Sequence, residues 1–323
     1  MGVSIEVLDP ADHGSFTDFF EVYRRSNERE IDQPWSADEV QVLLVGDEYQ
    51  RTDVLILREG ETAVAVALAE MPERDNVDTA YVEVWVPPEL RRRGYGTALL
   101  ERMELRVAED GREQILTETL RPITDDTASG REFMIARGYA PDTTNVQREL
   151  PLPVEPAPAD PLDGYTLVAW RSAPPPQWRE EYARLRALLN QEAPSGETQL
   201  ENEYWDPDRL LHEVDQWKRQ HRTGQTVVAV APDGHLAGHT QLLFPAASPE
   251  VYQWDTLVLP EHRGHGLGLA LKRQAMHEAA DLLEGRRRIL TWNDAQNDHM
   301  IAVNEALGYR ATAWADQWVK HLT

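Results

Sequence analysis

One block of sequence occurs twice, and that repeat constrains the fold more than any other feature. Residues 82–100 contain Pro88-Glu-Leu-Arg91-Arg-Arg-Gly94-Tyr-Gly96, and residues 254–272 contain Pro260-Glu-His-Arg263-Gly-His-Gly266-Leu-Gly268. Gly94 meets Gly266 at an offset of 172, where Glu83 also meets Asp255, Pro88 meets Pro260 and Arg91 meets Arg263. Gly138-Tyr139 and Gly308-Tyr309 follow with a two-residue slip. In a chain of 323 residues, such a period is a whole domain, so the chain reads as a tandem duplication rather than a solenoid. The proline-rich run from Leu150 to Pro161 has no periodic apolar face and reads as an extended linker. The expected division is 1–150, a linker at 151–162, and 163–323.

Hydrophobic patterning gives both copies the same order of elements. In the first, strands are expected at 3–8, 53–58, 62–70, 79–86, 114–119 and 144–149, with helices at 14–29, 36–47, 95–110 and 127–137. In the second, strands are expected at 165–170, 226–231, 236–243, 251–259, 288–292 and 312–321, with helices at 176–190, 207–223, 267–283 and 297–307. Strands interleaved with helices predict an α/β (α+β, mixed-sheet) architecture in each copy.

Composition removes several function classes. The formal charge is −24, with −16 in residues 1–150 and −8 in the rest, a field opposed to nucleic-acid phosphates and anionic membranes and attractive to a cationic substrate. Solubility alone also accounts for such acidity. Cysteine is absent, which excludes disulfides, thiolate metal sites and a cysteine nucleophile. Histidines show no metal-ligand spacing, so no metal is expected. The start of the chain has no basic n-region, and apolar runs such as 63–69 are too short to span a bilayer, so a cytoplasmic location is expected.

In each copy a strand and a Pro-Glu turn lead into Arg-x-x-Gly-x-Gly and an apolar helix. Glycines let the backbone turn tightly and approach a ligand, and the free N–H groups of the following helix favour an anion. Arginines add charge-assisted contacts to a pyrophosphate. Neither a Walker loop nor a complete dinucleotide fingerprint is present, and a glycine-rich turn can also be only a turn.

On these residues the chain resembles the GNAT N-acetyltransferase superfamily, over nearly its whole length and as two copies forming a pseudo-dimer, a layout like that of mycothiol synthase. The resemblance implies that Arg91, Arg92, Arg93, Gly94, Tyr95, Gly96 and Thr97, and likewise Arg263, Gly264, His265, Gly266, Leu267, Gly268 and Leu269, bind the pyrophosphate of acetyl-CoA. It implies that the strand ends Val84, Trp85, Val86 and Leu257, Val258, Leu259 receive the thioester and pantetheine arm. The family's second motif matches at Asn297 and Gly308-Tyr309, but its usual general-acid tyrosine is Asn304 here. In the first copy the corresponding asparagine and tyrosine positions hold Thr127 and Met134, and methionine donates no proton. The second copy is therefore expected to be catalytic and the first degenerate or regulatory.

The implied reaction is attack of a neutral amine on the acetyl-CoA carbonyl, with a base to remove the ammonium proton. Asp255 is the first candidate base, with His239, Asp294 and, in the first copy, Glu83 and Glu118 behind it. Each also has a plain reading as a solvated or hydrogen-bonded sheet residue. Asn304 is a candidate partner of the CoA sulfur or a packing residue. The acceptor is expected near residues 190–206, where Glu192, Glu197, Glu201, Glu203 and Asp206 accompany Trp205, with Trp254 on the facing strand. The expected function is acetylation of a small, cationic primary amine by a monomer. Acetylation of a protein or peptide, or non-catalytic binding of CoA or another ligand, are the alternatives.

Overall fold

The computed structural model describes residues 2–125, 129–189, 198 and 200–322. The chain forms two compact units. Unit 1 comprises Met1–Thr144, Gly196–Glu201 and Ala313–Thr323, and unit 2 comprises Asn145–Ser195 and Asn202–Thr312.

Unit 1 contains β1 (Val3–Val7), α1 (His13–Ser26), α2 (Ala37–Val45), β2 (Gln50–Glu59), β3 (Thr62–Pro72), β4 (Thr79–Trp85), α3 (Tyr95–Glu109), β5 (Gln114–Pro122) and α4 (Ser129–Ala136). The strand β6 (Ala140–Pro151) begins there and passes into unit 2. Unit 2 continues with β7 (Thr166–Arg171), α5 (Arg179–Ala187), α6 (Pro207–Arg219), β8 (Arg222–Val230), β9 (Leu236–Pro245), β10 (Glu250–Val258), α7 (Leu267–Glu278), β11 (Arg288–Asp294), α8 (Asp298–Ala306) and the start of β12 (Arg310–His321).

The strand order in unit 1 is β1-β2-β3-β4-β5-β12, antiparallel except for the parallel pair β4–β5. In unit 2 it is β7-β8-β9-β10-β11-β6, with β10–β11 the parallel pair. Each sheet is thus completed by the last strand of the other half of the sequence. Ala313–His321 pair with β5, and Asn145–Pro151 pair with β11.

Alternation along the strands divides each sheet between two helical layers. In β3, Ala65, Ala67 and Ala69 face Leu99 and Met103 of α3, whereas Val66 and Leu68 face Phe16 and Phe19 of α1. In unit 2, Leu271 and Ala275 of α7 pack on Val227 and Ala229, and Tyr182 and Leu185 of α5 pack with Val228 on the other side.

Four of the eight helices named above start with a side-chain cap. Asp12, Asp206 and Asn297 accept from the backbone N–H three residues on, and Ser36 forms a capping box with Glu39. α3 and α7 instead start on Gly94 and Gly266, both left-handed and without a side-chain cap. Several expected helices are shorter than the periodicity suggested, among them the one expected over 207–223, which stops at Arg219. The helix expected over 267–283 breaks at Ala279, before a short turn Ala280–Leu283, and α1 stops at Ser26 on an Asn27 cap. No helix among the described residues is long and apolar enough to cross a membrane.

A buried ionic bridge ties β6 into unit 2. Arg288 donates to Glu149 of β6 at 2.7 Å and to Glu250 of β10, and Arg310 also holds Glu149, at 2.7 Å. Burial raises the pKa of Glu149, but the two guanidiniums outweigh it and hold it below the usual carboxylate value. Removing Arg288 leaves two poorly solvated carboxylates, so Arg288→Ala is expected to cost about 3–5 kcal/mol in urea unfolding. Arg24→Ala, which removes only exposed pairs with Glu21 and Glu28, is expected to change stability by less than about 1 kcal/mol.

Candidate active site

In both units the parallel strands part at the same place. β10 and β11 pair only from Glu250 opposite Arg288 to Tyr252 opposite Leu290, yet they run on to Val258 and Asp294. β4 and β5 pair only from Thr79 to Tyr81 and run on to Trp85 and Pro122. Beyond these points, neighbouring strands leave a gap edged by unpaired backbone groups.

The units differ beside that gap. Opposite β9, Gln253 faces Leu242 and Thr256 faces Thr240, so Trp254 and Asp255 together oppose Gln241. This is a β-bulge, which frees backbone and re-aims side chains. β4 is regular over the same stretch, with Tyr81 to Trp85 opposing Glu70 to Val66 one for one.

At the end of each bulged or regular strand lies the glycine loop. Gly264 and Gly266 have φ of +84° and +75°, left-handed values that strain any side chain. Leu267 and Tyr95, the middle residues of the two Gly-x-Gly motifs, turn inward into the core, and Tyr95 bonds Glu59 at 2.9 Å. Gly268 packs toward Val303 of α8, and Gly96 toward Val86 and Phe133. Arg263 Nε donates to the Val258 carbonyl at 3.2 Å, and Arg91 Nε to Val86 at 2.9 Å, so each first arginine braces its own loop. Gly264, His265 and Gly266 are exposed, as are Arg92, Arg93 and Gly94, with Leu269 and Thr97 half-buried. In each unit an exposed glycine turn thus leads into a helix, α7 or α3, whose first amides have no side-chain cap.

The second layer of unit 2 supplies a buried polar cluster next to the bulge. Arg186 of α5 pairs with both oxygens of Glu213 on α6, at 2.9 and 3.0 Å, and its Nε lies 3.3 Å from Asp255 Oδ2. That oxygen is buried and makes no hydrogen bond. Burial raises the pKa of Asp255 to about 6 even though Arg186 opposes the rise. His239 is 0% exposed and lies inside β9. Its Nδ1 is 3.5 Å from Tyr182 Oη, its Nε2 has no partner, and burial and then Arg186 lower its pKa to about 3. It is neutral at physiological pH.

Among the expected acceptor residues, Glu203 and Trp205 stand by the Arg186–Asp255 cluster. Trp205 is half-buried between guanidiniums, 4.2 Å from Arg186 and 4.7 Å from Arg209, and its Nε1 donates to Glu203. Trp254 is 44% exposed. Glu201 belongs to unit 1, where its carboxylate accepts from the Asn76 backbone and its own N–H donates to Asn76 Oδ1 at 2.7 Å. Asn76 thus engages both the carboxylate and the backbone of Glu201. Glu192 and Thr127 lie outside the described residues.

The second motif has structural duties. Asn297 caps α8 by accepting from Met300 N–H at 3.0 Å, and Asp294 accepts from Gln296 N–H at 2.7 Å. Asn304 is 0% exposed, with both ends of its amide engaged, by Lys272 and Asn293.

In unit 1, Glu70, Glu83 and Glu118 share one sheet face. Glu83 and Glu118 keep solvent contact while protein surrounds them, as on the floor of a crevice. Crowding raises Glu83 to about 8, helped by Glu70 and Glu118, and raises Glu70 and Glu118 to about 7. Unit 1 has no counterpart of the Arg186 bridge among the described residues on that face.

Arg186, Tyr182 and Glu213 escaped the sequence reading. The available signal was an arginine in the apolar phase of a helix, since Tyr182, Ala183, Leu185 and Arg186 are the buried residues of α5. No group of three or more His, Asp or Glu side chains among the described residues could hold a metal ion.

Known proteins agree with this architecture. The acetyltransferase (GNAT) family model matches residues 16–125 and again 182–309. No curated protein sequence matches the chain. Among solved structures, it is similar to a tandem GNAT protein from the clavulanic acid biosynthesis pathway, with a TM-score of 0.82, 22% identity, and 99% and 98% of the two chains covered. A GCN5-related N-acetyltransferase from Sphaerobacter thermophilus gives 0.70 at 18% identity, covering 99% and 95%. The Saccharomyces cerevisiae N-myristoyltransferase, solved with myristoyl-CoA, gives 0.63 at 11% identity, covering 99% and 79%. With two family matches spanning most of its length, the chain belongs to the acetyltransferase (GNAT) family and is a tandem N-acyltransferase.

Proposed function

We propose that unit 2 transfers an acetyl group from acetyl-CoA to the primary amine of a small molecule, and that unit 1 is not the main catalytic copy. The observation that carries this reading is the bulge at Trp254-Asp255, which unit 2 has and unit 1 lacks.

The residues of unit 2 suit CoA. The left-handed Gly266 and the uncapped amides at the start of α7 would hold the pyrophosphate. The gap between β10 and β11 would take the pantetheine arm along Leu257, Val258 and Leu259. When bound, acetyl-CoA supplies an activated thioester carbonyl. Backbone N–H groups released from the ladder at the bulge donate to negative charge developing on oxygen. The Asp255 carboxylate, whose Oδ2 is turned to Arg186, accepts the proton of the ammonium group and leaves a neutral amine as nucleophile. Arg186 keeps that carboxylate ionised near neutrality, and Glu213 keeps Arg186 in place. Neutral His239 and Tyr182 complete a polar wall without adding charge.

The guanidiniums of Arg186 and Arg209 on Trp205 temper the expectation of a purely cationic acceptor. An amine with a polar or anionic part also fits a cluster in which cations and carboxylates alternate.

The pH dependence separates the units. Asp255 acts only when ionised, so kcat/KM with a panel of small primary amines should rise through about pH 6 and then level off. Asp255→Asn should lower kcat by about 10²–10⁴ and erase that limb. A limb near pH 8 would instead assign the chemistry to Glu83 in unit 1.

The loops give a second test. Gly266→Glu places a strained, anionic residue in the proposed pyrophosphate site and should abolish both acetyl-CoA heat in unit 2 and turnover, whereas Gly94→Glu should preserve most turnover. Equal loss from both would defeat the division of labour, and no acetyl-CoA heat with the unaltered protein would defeat the enzyme reading.

A further inference from the structure

A chain of three polar side chains lies between α7, α8 and β11 and takes no part in the chemistry above. Lys272, one of three lysines in the sequence, is 1% exposed. Its Nζ donates to Asn304 Oδ1 at 2.7 Å and lies 5.6 Å from the centre of the Tyr309 ring. No carboxylate among the described residues pairs with it, and burial alone lowers its pKa to about 7. Asn304 Nδ2 in turn donates to Asn293 Oδ1.

Lysine fixes the direction of this chain. While Lys272 is protonated its ammonium has donors and no acceptor, so Asn304 presents oxygen to it and nitrogen to Asn293, the direction the structure has. Asn293 must then accept through its oxygen, which leaves its own N–H groups as the outward end. No partner for them occurs among the described residues. Asn293 is half-buried and lies three residues beyond Leu290, within the part of β11 that no longer pairs with β10.

Unit 1 shows that packing does not require this arrangement. Lys272 and Asn304 correspond to Leu100 and Met134, both buried in an apolar core. The parallel pairs Tyr81–Leu116 and Tyr252–Leu290 align Asn293 with Thr119, which is held by Trp318 Nε1 at 2.9 Å. Two apolar side chains fill the same helix–helix contact without the cost of burying an amine.

We propose that Lys272 is a positioning residue which, through Asn304, sets the Asn293 amide so that its N–H groups face the gap between β10 and β11 and donate to the sulfur of CoA. This rests on the reading of unit 2 as the CoA-binding copy. When the C–S bond breaks, its electron pair goes to sulfur. Asn293 stabilises that thiolate by hydrogen bonding and gives up no proton; the second proton lost by the attacking nitrogen as the amide forms passes to water, and water returns a proton to the thiolate.

The absence of cysteine makes a direct measurement possible, because CoA carries the only thiol in a mixture with this protein. With protein in excess, thiolate absorbance in the ultraviolet follows ionisation of bound CoA. The thiol should ionise about one pH unit lower when bound than when free, the effect of about one hydrogen bond to a charged group. Lys272→Met and Asn293→Ala should each restore the free value while changing CoA affinity at pH 6 less than threefold. The double change Lys272→Leu with Asn304→Met, which copies unit 1, should fold at least as stably and show the same restored value. If Lys272→Met does not fold, Asn293→Ala carries the test. Bound CoA with an unshifted thiol, or a shifted thiol unaffected by Lys272→Met and Asn293→Ala, overturns this inference alone. Failure of the unaltered protein to bind CoA overturns the CoA reading as well.

Discussion

A parallel strand pair that stops pairing after three residues is the constraint on which the site depends. While β10 and β11 stay paired, the sheet is closed and its polar groups serve one another. Once they part, backbone groups and side chains of both strands become available to a ligand, and the surrounding elements must make that opening stable. The glycine turn before α7 brings helix amides to one end of it. The bulge at Trp254-Asp255 turns a carboxylate toward its other layer. Arg186, anchored by Glu213, offsets the cost of burying that carboxylate. The bridge through Arg288 then secures β6 on the far side of β11, so β11 is held by β6 along the stretch where β10 has left it.

The two copies have kept the same frame and diverged in what fills it. Both have the parting strands and the uncapped, glycine-started helix. They differ in the strand beside the gap and in the contact behind it. Unit 1 has a regular strand, an apolar Leu100–Met134 contact and a Glu83 carboxyl whose pKa is raised by burial and by Glu70 and Glu118. Unit 2 has a bulge, an ion-paired aspartate and a polar Lys272–Asn304–Asn293 chain. Each unit-2 feature carries a desolvation penalty that simple packing would avoid, a pattern typical of residues retained for chemistry.

Much of the frame was legible in the sequence because it rests on local rules. The repeated Arg-x-x-Gly-x-Gly, the strands around it and the helices after it follow from periodicity and glycine placement. The bulge left a trace too, since Tyr81 and Tyr252 stand 171 apart but Gly94 and Gly266 stand 172 apart. The exchange of final strands was not legible. β6 and β12 have similar alternating patterns, and nothing local specifies which β5-like neighbour each joins. Side-chain partners were equally hidden. Glu201 read as part of an acidic acceptor loop, but Asn76 claims it across 125 residues of sequence. Asn304 read as a group near the thioester, yet a lysine on another helix consumes its amide. Asp255 stood first among the candidate bases, and the Arg186 bridge next to it became visible only when α5 was laid on the sheet.

The most direct measurement is a crystal structure of the full chain grown with acetyl-CoA. The expected result is a thioester in unit 2, its pyrophosphate on the amides after Gly266 and its carbonyl against the backbone at Trp254–Thr256. A thioester seated on β4 of unit 1, with the gap between β10 and β11 closed or filled by protein, would contradict the assignment of the chemistry to unit 2.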